Sequence, residues 1–168
     1  MFKKHLFPLG KRPYIQNRKE RKQSEKCILC EIVDNSDNVV KLDVYRTENF
    51  VVSVNLYPYN PGHIMIFPKK HIEKIEDFPE NLYNEFFTLK KKCIEILNKI
   101  YSPGGFNIGF NVGRAAGASI EHIHMHIVPR FENELGFVDI LAGSKIFIDT
   151  PEQIYNILKK EFEASGEH

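Results

Sequence analysis

The stretch His122-Ile123-His124-Met125-His126-Ile127-Val128-Pro129-Arg130 decides how the rest of the chain is read. Histidine alternates with apolar residues at a period of two. Successive side chains of a strand point to opposite faces, so His122, His124 and His126 share one face while Ile123, Met125 and Ile127 enter the other. A strand over residues 123–129 then carries a row of imidazoles backed by core. Three of the chain's seven histidines fall here in strict alternation, which a half-exposed strand with incidental histidines explains poorly. Imidazole is largely neutral at pH 7, nucleophilic, and able to leave again from a phosphoramidate, so the row suits phosphoryl or nucleotidyl transfer. A metal site using all three is the other chemistry open to it, although neighbours two apart on a flat strand converge on one ion only with strain.

Upstream, Gly113-Arg114-Ala115-Ala116-Gly117-Ala118-Ser119 separates this strand from another over residues 106–112. Small residues there let phosphate oxygens approach the backbone closely, though an ordinary flexible turn reads the same way. Short branched or aromatic runs at 44–46 and 50–54, and at 63–67 after the turn signal Asn60-Pro61-Gly62, predict three more strands. Leu82, Phe86, Leu89, Cys93, Leu97 and Ile100 recur at three- and four-residue steps until Pro103-Gly104-Gly105. That is one long helix, preceded by a capping-box pattern at Asp77-x-x-Glu80. Thr150-Pro151-x-Gln153 opens a C-terminal helix with the stripe Ile154, Ile157, Leu158 and Phe162. The expected class is α+β: an antiparallel sheet of about five strands, one long helix and a C-terminal helix.

At 168 residues the chain fits one domain. Its 13 Phe and 7 Tyr, with 42% hydrophobic residues, exclude the composition of disorder. No apolar run approaches the roughly 18 residues that cross a bilayer, and no signal-type stretch follows the Lys-rich start, so no membrane partner is expected. Charge is uneven. Residues 1–26 hold nine Lys/Arg against two Glu, a net +7, while the remainder has fourteen basic against twenty acidic residues, a net −6. Pro8-Leu9-Gly10 and Pro13 interrupt any helical period, so residues 1–25 read as an extended basic arm and 26–168 as the domain. Such an arm either steers polyanions or is simply solvated; because the remaining domain is not basic, nucleic acid is not the expected partner. Cys93 reads as a small core residue. Cys27-x-x-Cys30 suits a reduced, cytoplasmic setting, and two thiols alone do not complete a tetrahedral metal site.

The histidine row, the preceding Asn111-x-Gly113-x-x-x-Gly117-x-Ser119, and Pro61-Gly62-His63-x-x-x-x-Pro68-Lys69-Lys70-His71 together resemble the histidine-triad (HIT) superfamily of nucleotide hydrolases and transferases. The resemblance spans roughly residues 27–130. It is nearest the fragile-histidine-triad-like and diadenosine-tetraphosphate phosphorylase branch. It implies a HIT-like fold with His124 as nucleophile, His126 contacting the phosphate, and His63 facing the same pocket. It also implies Asn55 and Asn111 near the ribose or phosphates, and backbone N–H groups of Gly117, Ala118, Ser119 and Ile120 facing the α-phosphate, with the Ser119 hydroxyl adding a donor. Many members carry Gln where this chain has Ala118; losing that amide leaves room for phosphate as well as water as the second-step acceptor.

The resemblance further implies a structural zinc held by Cys27, Cys30, His71 and His122, no organic cofactor, and a homodimer. The implied activity is cleavage of dinucleoside polyphosphates, such as diadenosine tetraphosphate, through a covalent nucleotidyl-histidine intermediate, by hydrolysis or phosphorolysis. Two alternatives stay open: a nucleoside phosphoramidate or adenylyl-lysine hydrolase, and a non-catalytic nucleotide- or nucleic-acid-binding module led by the basic arm.

Overall fold

Val51 and Val52 are neighbours on one strand, and both are fully buried. Their side chains leave opposite faces, so the middle of the sheet must be covered on both sides. The computed structural model, which describes residues 26–132, 134 and 149–166, shows how. The chain runs through α1 (Ile28–Val33), β1 (Asp43–Arg46), β2 (Phe50–Val54), β3 (Ile64–Pro68), α2 (Tyr83–Tyr101), β4 (Gly105–Phe110), β5 (Met125–Arg130) and α3 (Pro151–Ala164). The five described strands form one antiparallel sheet in the order β1-β2-β3-β5-β4.

Phe50, Val52, Val54, Ile64 and Ile66 point with Ile123, Met125 and Ile127 into the main core, where Phe86, Leu89, Cys93 and Leu97 of α2 and Ile154, Leu158 and Phe162 of α3 meet them. Burying a side chain of this size stabilises by about 1.5–3 kcal/mol relative to exposure. The other face is covered by α1. Leu29 and Ile32 pack on Val51, Met65 and Phe67 in a second, smaller core.

The α+β class, the five strands and both expected helices are present. α3 begins as its sequence predicts: Thr150 Oγ1 accepts from Gln153 N while Gln153 Oε1 accepts from Thr150 N, at 3.3 and 2.8 Å. Ile157 is 39% exposed, so that helix buries a narrower stripe than expected.

Other expectations are corrected. The Asp77–Glu80 capping box does not form. Two single turns of 3-10 helix, Ile75–Asp77 and Glu80–Leu82, flank Pro79, and α2 starts at Tyr83 without a side-chain cap. Glu85 ties that start down instead, accepting from Asn49 Nδ2 at 2.7 Å and from the Thr47 hydroxyl at 2.5 Å. The histidine strand begins at Met125 rather than residue 123, so His122 and His124 lie just before the ladder. The basic arm lies outside the described residues.

Candidate active site and metal centre

β5 pairs with β3 so that His126 lies opposite Met65, and with β4 so that it lies opposite Gly109. The imidazole therefore rises from the middle of the sheet. A cleft of about 490 Å³ opens over it, lined on one side by Asn111, Gly117, Ser119, His124 and His126. Ser53, Asn55 and Tyr59 border it, and Ile28, Leu29, Ile32, Val39 and Val40 make an apolar end.

The partner atoms around each ring fix its tautomer. His124 Nδ1 lies 2.9 Å from the backbone carbonyl of His122. A carbonyl only accepts, so Nδ1 carries the proton and Nε2 keeps a bare lone pair. His63 Nδ1 accepts the backbone N–H of Tyr59 at 3.1 Å, which places the His63 proton on Nε2. That nitrogen lies 3.0 Å from His126 Nδ1. His126 must accept there, leaving its Nε2 as an N–H donor beside Asn111, 3.5 Å away. The 3.3 Å approach of Asn55 Nδ2 to His63 Nε2 is then a contact rather than a donation.

Electrostatics keep these rings neutral. Burial, then the nearness of His126 and His124, pushes His63 down to about 3. Burial and His124 push His126 down to about 4. Burial also lowers His124, opposed by its bond to the His122 carbonyl. At neutral pH the site thus offers one bare nitrogen and one N–H donor, their rings 4.8 Å apart and steeply inclined.

His63 is held by the turn before it. Gly62 has φ +76, and a Cβ there would lie 2.8 Å from the Tyr101 ring, so the position excludes any side chain on two grounds. Asn60 is buried and donates to the Pro129 carbonyl at 2.7 Å and to Glu134 at 2.9 Å. Tyr59 stacks on the His63 ring at 4.8 Å. The sequence marks Asn60-Pro61-Gly62 as a turn and, by resemblance, Pro61-Gly62-His63 as part of the motif; the turn's role in setting the His63 tautomer needs the folded chain.

The loop before the histidines bends at Gly113 and Gly117, with φ of +81 and +92. Within it the Gly117 and Ala118 N–H groups already bond the carbonyls of Arg114 and Gly113. Among the described residues no carbonyl takes the N–H groups of Ser119 and Ile120, and both residues line the cleft.

His122 turns the other way. Its Nδ1 lies 3.6 Å from both Cys27 Sγ and Cys30 Sγ, and Cys30 Sγ lies 3.2 Å from His71 Nδ1. One ligand atom from each of the four residues falls within 4.8 Å of all the others. Tetrahedral bonds of zinc to sulfur and imidazole set ligand separations of about 3.3–3.8 Å; the 3.2–3.6 Å contacts lie close to that range, and the cluster could bind a metal once its wider pairs draw in. α1 explains the thiols: Cys27 is its N-cap and Cys30 lies in its first turn. This six-residue helix is too short to show a period, and sequence reading passed over it.

Comparison with known proteins agrees with this geometry. The HIT domain family model matches residues 37–133. An AP-4-A phosphorylase of Mycobacterium tuberculosis is 40% identical over 106 residues, covering 62% of this chain and 54% of its own length. An asymmetrical bis(5'-nucleosyl)-tetraphosphatase of Schizosaccharomyces pombe is 31% identical over 97 residues, covering 58% and 53%. The chain thus spans about half the length of these curated relatives. A zinc-bound histidine triad family protein from Mycobacterium smegmatis superposes with a TM-score of 0.64 at 25% identity, covering 84% of this chain and 99% of that one. With a family model spanning more than half its residues and the same fold in a solved relative, the chain belongs to the HIT domain family.

Proposed function

We propose that this protein cleaves dinucleoside polyphosphates through a nucleotidyl-histidine intermediate on His124. The observation that carries the reading is the pairing of a bare His124 Nε2 with the Nε2–H donor of His126 over one cleft. The names of the two enzymatic relatives support the substrate class.

In the first step a bond forms from His124 Nε2 to the α-phosphorus as the bond to the bridging oxygen breaks. The electron pair departs with the leaving nucleotide. Positive charge grows on the imidazole, and the His122 carbonyl bonded to Nδ1–H stabilises it. His126 Nε2–H, the Ser119 hydroxyl and the N–H groups of Ser119 and Ile120 meet charge growing on the phosphoryl oxygens. In the second step an oxygen of water or inorganic phosphate attacks phosphorus, and the P–N pair returns to Nε2. Diadenosine tetraphosphate yields ATP with AMP by the water route, or ATP with ADP by the phosphate route. With Ala118 supplying no amide to hold a water, phosphate remains a competent acceptor. Asn55 and Asn111 border the same cleft and are assigned to the ribose and phosphates.

We assign one structural zinc to Cys27, Cys30, His71 and His122. When bound, it ties the chain's N-terminal side to the histidine segment and orients His122. The same reading includes a homodimer, which would use β4, an edge strand among the described residues, with its exposed Ile108, and a reducing, cytoplasmic setting.

The decisive experiment incubates the protein with diadenosine tetraphosphate, with and without phosphate, and identifies both the products and a quenched adduct by mass spectrometry. His124→Ala should bind nucleotide but neither turn over nor form the adduct. Turnover by that variant, or repeated absence of an adduct at residue 124, overturns the reading.

A further inference from the structure

Arg114 is the one Lys or Arg among the described residues that line the cleft. It stands on the single 3-10 turn Arg114–Ala116, between two glycines whose positive φ values lift the turn out of the sheet. Its guanidinium makes one long contact, 3.4 Å to Glu121 Oε1, with the two side chains 73% and 64% exposed. A pair so long and so wet is worth little and is easily exchanged for a stronger anion.

The substrate of the proposed reaction carries roughly one negative charge per phosphorus. The histidine rings of the cleft do not supply that charge at pH 7, since burial holds His126 neutral. They donate or accept single hydrogen bonds but do not balance a polyphosphate chain. A guanidinium does both: it carries a permanent charge, and its planar fork matches two phosphate oxygens.

We propose that Arg114 grips the phosphates beyond the one attacked and so selects polyphosphate leaving groups over substrates with a single phosphorus. This rests on the function proposed above and adds a specificity residue to it. Glu121 parks the side chain at the cleft mouth until the anion arrives.

The test is calorimetric affinity for diadenosine tetraphosphate and for AMP, measured on His124→Ala protein so that nothing is consumed. Adding R114A should lower the tetraphosphate-to-AMP affinity ratio about 10- to 100-fold, the loss expected for one charged hydrogen-bonding group. R114K should recover the part of the ratio that charge supplies but not the part that the planar fork supplies, and added salt should lower the ratio more with Arg114 present than in R114A. R114Q keeps a polar but uncharged side chain and serves if the alanine variant does not fold. An unchanged ratio, or one that R114K fails to raise, overturns the role of Arg114. Wild-type protein that binds tetraphosphate yet leaves it uncleaved overturns the underlying reading while the binding ratio still decides for Arg114; binding of neither nucleotide overturns both.

Discussion

His122 holds His124 from behind: its carbonyl takes the His124 Nδ1 proton at 2.9 Å while its own ring faces two thiols at 3.6 Å. One residue therefore joins the candidate metal cluster through its side chain and the proposed nucleophile through its backbone.

Metal content should accordingly govern turnover without contact between metal and substrate. Purified protein should contain one zinc per chain by elemental analysis, and Cys30→Ser should lose it. On stripping, kcat should fall more than tenfold with a lesser change in KM, because the carbonyl that orients His124 loses its anchor while the cleft walls persist; losing ligand-orienting contacts typically costs 10- to 100-fold. Equal activity of stripped and loaded protein would contradict this coupling.

In the proposed reaction His63 acts only through His126, 3.0 Å from its Nδ1. His63→Gln should keep a buried polar side chain but break the chain of tautomers from the Tyr59 N–H to His126 Nε2. The expected result is a 10²- to 10³-fold fall in kcat, the scale for removing one oriented donor from a transition state. A change confined to KM would place His63 among the binding groups instead.

Protonation of the buried rings sets an acid limit on stability. Burial holds both His63 and His126 down, to about 3 and about 4, below the ordinary imidazole value of 6.5. The unfolded chain thus binds the extra proton first, and stability is full above pH 6.5 and falls as pH drops below it. For His63 the slope approaches about 1.4 kcal/mol per pH unit; it is smaller for His126, whose ring meets cleft solvent. Urea midpoints at pH 7.5, 6 and 5 should decline accordingly, and His63→Gln should flatten the decline. A flat profile in the wild-type protein would contradict the burial argument.

Gly62→Ala meets two costs at once, a left-handed backbone of φ +76 and a Cβ 2.8 Å from the Tyr101 ring. Together they should destabilise by about 2–4 kcal/mol, lowering Tm by about 5–15 °C. In a double-mutant cycle with Tyr101→Ala the packing part should show as coupling while the backbone part stays. Additive losses would mean that the ring moves aside freely.

Continuous apolar runs at β2 and β3, which both cores cover, and the three- and four-residue step from Phe86 to Leu97 along α2 were readable directly because burial imposes them, and the Thr150–Gln153 cap because its residue types do. What the residues alone withheld came from pairs distant in the chain. Pro79 divides two 3-10 turns where a capping box was expected. α1 forms over six residues because Leu29 and Ile32 find Val51, Met65 and Phe67, a contact that no local pattern announces. By alternation alone, without the family resemblance, His122 is one of three equal imidazoles. Only the approach of Cys27 and Cys30, more than ninety positions away, separates it from His124 and His126. Ser53, Tyr59 and the apolar end of the cleft were likewise invisible, because lining a cavity leaves no periodic mark.

The segment bearing His124 and His126 is pinned outside both of its ends: residue 122 among the thiols and His71, and Pro129 by the buried amide of Asn60. A ribbon stretched between two pegs keeps its middle taut without help from whatever lands on it. Slackening either peg, whether by oxidation of sulfur or by opening of the Asn60 turn, should let the two imidazoles drift apart while helices and sheet stay in place, so heat or oxidant is expected to end the proposed turnover before the fold melts.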